Sequence, residues 1–342
     1  MTDALTLDVD AVALWAKDRL PGFERPVGVK KFQTGQSNPT YALRTAAGDY
    51  VLRRKPPGVL LKSAHAVERE YRVQSALAGT DVPVARMHAL CEDDGVIGSA
   101  FYLMDLVPGR TFNDPAMPGL TKDDRTAIVQ DMARVLAAIH SIDLDALGLA
   151  DYGPHGSYYR RQVDRWTKQY RASETETIPD MDALIQWLDA EMPPDDGLVA
   201  LVHGDYRLDN LLIAPDAPRI IAVLDWELST LGHPFADLAA VLMQWSRPAG
   251  TAGRGLAGVD RAALGLPSDA AFVEDYCRRM GLPGIDRLEF YLAFAFFRMA
   301  AILQGVKRRA LDGNASNPER ALQLGAQVPG YATSGLAAAG RG

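Results

Sequence analysis

The hydrophobic pattern divides the chain into a strand-rich first third and a largely helical remainder. Four segments are predicted to form strands: 30–44 as a strand, a turn and a second strand, and 50–53, 82–90 and 100–104 as one strand each. One helical period, 63–78, lies among them, with Ser63 expected as its N-cap. After Gly109 the apolar residues recur at helical spacing, first over 121–140. The pattern predicts an α+β protein with an N-terminal antiparallel sheet, one helix beside it and a mainly helical C-terminal part.

The C-terminal part is predicted to contain several more helices and to end in a loose tail. These helices are expected at 158–171, 182–191, 238–245, 269–280, 286–311 and 317–326. The Gly- and Ala-rich segment after Pro329 is expected to be loose. The longest apolar segment, Phe290 to Val306, contains Arg298 near its middle. We interpret it as a buried helix and not as a membrane span, so no membrane association is expected.

One stretch inside the helical part has the pattern of a β-hairpin. Two short apolar runs, Leu211–Ile213 and Ile220–Leu224, flank a Pro/Asp/Pro turn. Because the outer ends of a hairpin meet, Asn210 before the first run is expected to lie beside Asp225 after the second. Asp205 lies five residues upstream of Asn210. Carboxylate and carboxamide oxygens are hard ligands that suit magnesium, so the stretch predicts a magnesium site.

The same polar residues have the spacing of a kinase catalytic loop. His203, Asp205 and Asn210 form the pattern H-x-D-x-x-x-x-N, and Asp225 follows the next apolar strand. The segments HGDYRLDN and LDWE resemble the catalytic and metal-binding motifs of the aminoglycoside phosphotransferase and choline kinase group of small-molecule kinases. The flanking segments VLRRKPPG, SAHAVEREY, FYLMDLVPGR and DWELSTLGHPFADLA look closest to one branch of that group. That branch includes the kinase-like domain fused to acyl-CoA dehydrogenases in animals (family members 10 and 11).

The resemblance extends over most of the chain and implies a protein-kinase-like, two-lobed fold. Residues 1–104 would form the nucleotide-binding lobe, 105–110 the hinge, and 111–342 the helical lobe with the catalytic loop and the substrate site. The implied cofactors are ATP and Mg²⁺. The implied reaction moves the γ-phosphate of ATP to a hydroxyl group of a small molecule. A protein kinase is disfavoured, because Asp225 leads into WELSTLGHP and no D-F-G…A-P-E segment follows.

Two pairs of residues compete for the positions that hold the nucleotide phosphates. The register of the kinase motif V-A-I-K places its cation at Arg53, with Lys55 as the competitor. Kinases pair this cation with a glutamate on the following helix. Glu70 matches that position in the resembled family, and Glu68 is the alternative. Because residues two apart face different ways on a helix, only one of the two glutamates can serve.

Two further segments are expected to contact the nucleotide through their backbones. The turn 34–40 contains Gly35 and Ser37 and is expected to lie over the phosphates, although such a turn also suits a plain hairpin. An adenine ring needs backbone donor and acceptor groups in a dry slot, and the backbone around Met104 to Leu106, where the hinge begins, is expected to provide them.

The resemblance assigns a role to each polar residue around the hairpin. Asp205 would accept or orient the proton of the substrate hydroxyl, and Asn210 and Asp225 would hold magnesium. His203 is expected to pack beneath the catalytic loop. Asp237 is expected to cap the helix at 238–245 and to brace that loop from behind. His140 lies at a helix C-terminus and is interpreted as structural.

Candidate substrate contacts come from the segment 158–171, which reads YYRRQVDRWTKQYR. Tyr159 and Trp166 among its basic residues would suit an anionic, partly apolar ligand such as an acyl-CoA. The alternative is an amphipathic helix whose aromatic residues belong to the core. Glu227 either assists the metal, faces the substrate or is a surface carboxylate.

The charge distribution favours a different class of substrate. Residues 1–104 carry 13 Lys and Arg against 12 Asp and Glu, whereas the rest of the chain carries 23 against 31. An acidic C-terminal part attracts a cationic substrate such as an aminoglycoside or choline, unless it is only a solvated surface. Three functions therefore stay open: a kinase for a hydroxyacyl-CoA or related metabolite, an aminoglycoside, choline or homoserine kinase, and a catalytically weak pseudokinase that binds nucleotide or acyl-CoA.

Composition narrows the class and the location of the protein. The net charge of −7 argues against general nucleic-acid binding. Cys91 and Cys277 lack C-x-x-C spacing, which argues against a disulfide framework or a zinc site and fits a reducing cytoplasm. The acidic N-terminus, MTDALTLDVD, is unlike a signal peptide. We therefore expect a cytoplasmic enzyme whose partners are a nucleotide and a small molecule.

Overall fold

A computed structural model describes residues 7–32, 38–56, 65–250, 254–315 and 317–340. Gly35, Ser37 and Ser63, for which roles are predicted above, lie outside these residues. The chain divides into two compact units, taken here one at a time. The first comprises Met1–Thr111, Asp143–Ala150 and Asp209–Ser229, and the second comprises Phe112–Ile142, Asp151–Leu208 and Thr230–Gly342, in each case the described residues within those ranges.

The first unit is built on a five-stranded antiparallel sheet. Its strands are β1 (Gly28–Lys31), β2 (Thr40–Arg44), β3 (Asp49–Arg54), β4 (Met87–Cys91) and β5 (Phe101–Asp105), in the spatial order β1-β2-β3-β5-β4. Its helices are α1 (Val9–Ala16), α2 (Val67–Leu77) and the short α3 (Asp94–Ile97). Alternation along the strands buries both faces: Leu52 and Phe101 pack with Val12 of α1, whereas Tyr102 packs with Val67 of α2.

The predicted hairpin forms and belongs to this first unit. Strands β7 (Leu211–Ile213) and β8 (Ile220–Val223) pair antiparallel. The amide of Leu224 donates to the Asn210 carbonyl at 2.8 Å, so the two outer ends meet as expected. The predicted boundary, which gave all of 111–342 to the second part, differs from this division. The hairpin belongs to the first unit because Ile213 forms two backbone hydrogen bonds with Arg110. The Arg110 amide donates to the Ile213 carbonyl at 2.7 Å, and the Ile213 amide donates to the Arg110 carbonyl at 2.8 Å.

The second unit is helical apart from one short strand pair, β6 (Ala200–Val202) with β9 (Thr230–Gly232). Its helices are α4 (Lys122–His140), α5 (Tyr158–Ser173), α6 (Pro179–Ala190), α7 (Phe235–Trp245), α8 (Arg261–Leu264), α9 (Asp269–Met280), α10 (Leu288–Leu311), α11 (Pro318–Gly325) and α12 (Val328–Ala338). Helix α10 packs against α5, α7, α11 and α12. By length and composition alone α10 passes as a membrane span, but 67% of its most apolar window is buried in the protein, as in a core helix.

The α+β class, with an N-terminal antiparallel sheet and a mainly helical C-terminal part, is confirmed. Three local predictions were wrong. Helix α2 begins at Val67, four residues after the predicted cap. Asp237 is the third residue of α7 and not its N-cap, because its carboxylate binds other amides. The tail after Pro329 is helical, since Ala332 and Gly335 lie buried in α12, where Gly335 meets Leu184 and Phe296. Tertiary burial outweighs the low helix propensity of glycine there.

Candidate active site

Arg53 forms the centre of an ion-pair network in the first unit. It lies near the end of β3 and is 9% exposed. Its Nε is 2.8 Å from Glu70 Oε2, and its Nη2 is 2.6 Å from Asp225 Oδ1 and 3.5 Å from Glu227 Oε2. Burial acts to lower the pKa of Arg53, but the nearby carboxylates, Glu70 above all, raise it above its usual value. Arg53 is therefore a permanent, rigidly held cation.

Glu70 is held in place by neutral donors as well as by Arg53. It lies on α2 and is 1% exposed. Its Oε1 accepts from Asn38 Nδ2 at 2.7 Å, and its Oε2 accepts from the Tyr102 hydroxyl at 3.1 Å. Burial raises the pKa of Glu70 to about 7, although the charge of Arg53 opposes that rise. Glu70 thus anchors the guanidinium, and its charge changes close to neutral pH.

The geometry distinguishes the two competing cations and the two competing glutamates. Lys55 Nζ lies 2.8 Å from Glu68 Oε2, in a separate and more exposed pair. Arg53 alone of the two cations reaches Glu70 and Asp225. The structure therefore pairs Arg53 with Glu70, as the strand register predicts. Whether Arg53 contacts phosphate stays a prediction.

Asn210 and Asp225 lie at the two outer ends of the hairpin, and their role as magnesium ligands stays a prediction. Asp225 follows β8 with a φ of 63°, a left-handed conformation that aspartate tolerates better than most residues and that redirects its side chain at the strand end. No group of three or more His, Cys, Asp or Glu suited to a metal occurs among the described residues. Magnesium usually takes one or two carboxylates and completes its shell with water and substrate phosphates. The donor set present fits that ion and does not fit a zinc or calcium cage.

Two backbone amides at the start of the predicted hinge form hydrogen bonds within the first unit. The amide of Asp105 donates to the Arg86 carbonyl at 2.9 Å, and the amide of Leu106 donates to the Asp49 carbonyl at 3.2 Å. Met104 lies within β5, between two paired strands. The sheet therefore continues one residue past β5 and uses the amide of Leu106, and nucleotide binding through the backbone around Met104 and Leu106 stays a prediction.

The predicted catalytic loop in the second unit is held by a buried carboxylate. Asp237 is 1% exposed and accepts hydrogen bonds from the amides of His203, at 2.7 Å, and Gly204, at 2.8 Å. Gly204 has a φ of 83°, a conformation that favours glycine. His203 is fully buried, and its Nδ1 accepts from the amide of Asp205 at 3.3 Å. Asp205 itself is partly exposed and pairs with Arg207 Nε at 3.0 Å. The loop is a rigid support with one accessible carboxylate.

A chain of hydrogen-bonded side chains lies behind the loop, and the sequence predicted only part of it. His140 was predicted to be structural, and its Nε2 lies 3.4 Å from Asp237 Oδ2. Its Nδ1 lies 2.7 Å from the Tyr276 hydroxyl, a contact that no sequence pattern indicated. Burial acts to raise the pKa of Asp237, but the hydrogen bond and charge of His140 and the loop amides hold that pKa below its usual value. Asp237 therefore braces the loop as a carboxylate.

The predicted substrate residues on α5 have different environments. Tyr159 is 6% exposed and packs among aromatic rings: those of Tyr158, His233, Phe290, Tyr291 and Phe294. The helix turns Tyr159 towards the core, where it also lines a cavity with His233 and Tyr291, so its contact with a substrate stays a prediction. Trp166 is half-buried, with the guanidinium of Arg298 from α10 at 5.8 Å from its ring centre. The sequence pattern indicates only that Arg298 argues against a membrane span and does not predict its position beside Trp166.

Comparison with known proteins identifies the class of this fold. A crystal structure of a Ralstonia eutropha protein, provisionally classed as an aminoglycoside phosphotransferase, matches with a TM-score of 0.90 and 49% identity over 98% of this chain and 99% of that one. A ternary complex of aminoglycoside phosphotransferase APH(4)-Ia with AMP-PNP and hygromycin B matches with a TM-score of 0.62 over 96% and 98% of the two chains. Its 17% identity supports the fold alone. The fold is that of the kinase-like phosphotransferases.

The family follows from the sequence matches. The model of the phosphotransferase enzyme family matches residues 28–291, and the chain belongs to that family. Mouse acyl-CoA dehydrogenase family member 10 is 50% identical over 293 residues, which are 85% of this chain and 27% of that protein. Mouse family member 11 is 41% identical over 336 residues, or 96% of this chain and 43% of that protein. The resemblance stated from the motifs is confirmed, and the chain spans less than half the length of these relatives.

Proposed function

We propose that this protein is an ATP-dependent phosphotransferase that phosphorylates a hydroxyl group of a small molecule. The acceptor oxygen forms a bond to the γ-phosphorus, the bond from that phosphorus to the bridging oxygen breaks, and ADP leaves with the electron pair. The hydroxyl proton passes to Asp205. The observation that carries the proposal is the position of Arg53, which forms ion pairs with both Glu70 and Asp225.

The residues of the first unit account for nucleotide binding in this proposal. Arg53 contacts the α- and β-phosphates, and Glu70 keeps its guanidinium in place. Asn210 and Asp225 hold Mg²⁺, which neutralises charge on the phosphates. The AMP-PNP in the APH(4)-Ia complex supports the choice of a nucleotide. Most of the catalysis then comes from positioning and charge neutralisation, because little covalent chemistry is left to the protein.

The acceptor we propose is a hydroxyacyl thioester or a related hydroxylated metabolite. Support comes from the two mouse relatives, which carry the name of acyl-CoA dehydrogenases and share this chain as one part of a longer protein. A reducing compartment such as the cytoplasm belongs to the same proposal, since the buried residues Cys91 and Cys277 are free thiols.

Phosphate transfer tests the proposal directly. ATP, Mg²⁺ and the full chain are incubated with hydroxyacyl-CoA thioesters, an aminoglycoside, choline and homoserine, and phosphorylated products are followed by ³¹P NMR. We expect a phosphate ester with at least one acceptor and a loss of about 10²-fold or more in turnover for Asp205→Asn, the range known for general-base catalysis. Asp216→Asn, in the exposed hairpin turn, is the matched control. Turnover of Asp205→Asn equal to that of the control would remove Asp205 from the chemistry, and a lack of product with every acceptor would defeat the proposed function.

A further inference from the structure

Arg298 is a charged residue in an otherwise apolar stretch of α10. The helix buries a run of aromatic and small residues on either side of it. Its Nη2 donates to the carbonyl oxygen of Gly204 at 3.2 Å. Gly204 directly precedes Asp205, so the guanidinium contacts the backbone one residue from the proposed base. Placing a cation in such a helix costs free energy, which a single hydrogen bond to a neutral carbonyl offsets only in part.

Arg298 has no carboxylate partner in the part of the chain that the structure describes. Three basic residues of the neighbouring helix α5, by contrast, have polar partners. Arg160 pairs with Asp189, Arg171 pairs with Glu174 and Asp182, and Arg161 donates to the carbonyls of Pro154 and His155. An arginine offers five N–H donors in a planar fork, and one accepted bond leaves donors of Arg298 for a ligand.

The ring of Trp166 provides an apolar wall beside this cation. The Arg298 guanidinium lies 5.8 Å from the ring centre, and the exposed Arg165 lies 5.5 Å from it. The indole nitrogen donates to Gln162 at 3.0 Å, which fixes the ring orientation. Neither arginine has an ion-pair partner among the described residues. Two uncompensated positive charges beside one half-buried aromatic ring suit an anionic ligand that has an apolar portion.

We propose that Arg298 and Trp166 form the subsite that recognises an anionic group of the phosphate acceptor. The inference rests on the proposed function and adds to it the charge class of the substrate. The anionic group is either a carboxylate of the acceptor or a phosphate of its CoA portion. Cationic acceptors such as aminoglycosides or choline are repelled by the same charges, although the C-terminal part is acidic as a whole. Arg298 is then a specificity-determining residue.

Matched acceptors separate the two sources of negative charge. 3-Hydroxybutyrate is compared with its amide, and 3-hydroxybutyryl-CoA is compared with 3-hydroxybutyryl-pantetheine, which lacks the phosphates. Each is assayed for ATP-dependent phosphate transfer and, in parallel, for binding by calorimetry in the presence of ADP and Mg²⁺. The variants are Arg298→Gln, which keeps a side-chain donor for the Gly204 carbonyl, and Arg298→Lys, which keeps the charge. Arg309→Gln, an exposed position on the same helix, is the control.

For Arg298→Gln we expect the affinity for the anionic member of one pair to fall about tenfold, the scale of one charge-assisted hydrogen bond. This loss appears as a higher KM and a higher calorimetric Kd. The kcat, and the KM and Kd for the uncharged member of the pair, stay within about twofold of the wild-type values. Arg298→Lys recovers part of the affinity, and Arg309→Gln changes nothing. A loss in the CoA pair assigns the charge to phosphate, and a loss in the free-acid pair assigns it to carboxylate.

Three results would overturn the inference: equal losses for charged and uncharged acceptors, wild-type binding no tighter for the charged members, or choline as the preferred acceptor. Equal losses would mean that Arg298 only supports the loop. Failure of the proposed function looks different. In that case no acceptor is phosphorylated, while calorimetry still shows an anion preference that Arg298→Gln removes.

Discussion

Arg53 Nη2 lies 2.6 Å from Asp225 Oδ1, which joins the proposed phosphate cation directly to the proposed metal ligand. Arg53 uses a second nitrogen, Nε, for Glu70 at 2.8 Å. A lysine has a single point-charge nitrogen and cannot hold two carboxylates in this fork geometry. The kinase motif has lysine at this position. Arginine suits this protein better, because three carboxylates surround the side chain and a guanidinium can pair with more than one of them.

Replacement of Arg53 by lysine should weaken nucleotide binding even though the charge is kept. The shorter, single-headed side chain loses one of its two close ion pairs, and breaking a buried pair of this kind costs about 3–5 kcal/mol at most. We expect the Kd for Mg²⁺–AMP-PNP, measured by titration calorimetry, to rise at least about tenfold, or about 1.4 kcal/mol. Lys55→Gln, which removes only the more exposed pair with Glu68, is the matched variant. A larger effect at Lys55 than at Arg53 would transfer the phosphate role to Lys55.

Glu70 should make nucleotide binding depend on pH near neutrality. Burial raises its pKa to about 7, above the usual glutamate value of 4.5, so the folded protein keeps a proton on Glu70 that the unfolded chain has lost. Its ionisation therefore costs stability as the pH rises from about 4.5 through 7. Above pH 7 the ionised carboxylate holds Arg53 most strongly. We expect the affinity advantage of the wild type over Glu70→Gln for Mg²⁺–AMP-PNP to be small at pH 6 and larger at pH 8. An advantage that is the same at both values would show that Glu70 does not titrate in this range.

Asp237 should stabilise the second unit through its charge. Its pKa is depressed, so its contribution is fully present above the usual aspartate pKa and is lost as the pH falls through the lower folded value. In Asp237→Asn an amide group faces the two donors from His203 and Gly204, which costs about 1–3 kcal/mol for an unsatisfied buried group. We expect a lower Tm than that of the wild type, by a margin that is constant between pH 7 and pH 5 and narrows at pH 3.

The same variant separates bracing from folding alone. If Asp237 only contributes to packing, Asp237→Asn at a temperature well below its Tm retains wild-type phosphate transfer. We expect kcat to fall instead, because the loop that carries Asp205 loses two of its backbone hydrogen bonds. Asp195→Asn, at an exposed carboxylate that also accepts from backbone amides, is the control for the removal of a charge.

Local patterns predicted two parts of the first unit well, because the hairpin and the face of β3 depend on residues that are close in the sequence. Two apolar runs and a turn were enough to bring Asn210 next to Leu224, and the alternation of β3 was enough to face Arg53 towards α2. The contacts of Arg298 and Tyr276 depend on how distant helices pack, which leaves no spacing in the sequence. The burial of Tyr159 among aromatic rings depends on the same helix packing, because an amphipathic pattern shows that a helix has an apolar face but does not show what covers it.

The hairpin that carries Asp225 should be sensitive to one glycine that has no motif role. A Cβ added at Gly109 would lie 2.4 Å from Leu212 Cγ and 2.9 Å from the Ile213 carbonyl oxygen. Both are closer than real contacts allow, and the carbonyl is backbone that cannot move independently of β7. Gly109→Ala should therefore destabilise the protein by about 1–3 kcal/mol, as overpacking does, and should weaken Mg²⁺–AMP-PNP binding because Asp225 lies at the end of the same hairpin. Gly284→Ala, where an added Cβ meets nothing within 4 Å, is the control, and both variants are compared with the wild type by thermal melts and calorimetry. If the Tm and nucleotide affinity of Gly109→Ala equal those of Gly284→Ala, the position of Asp225 does not depend on the close packing of Gly109 against β7.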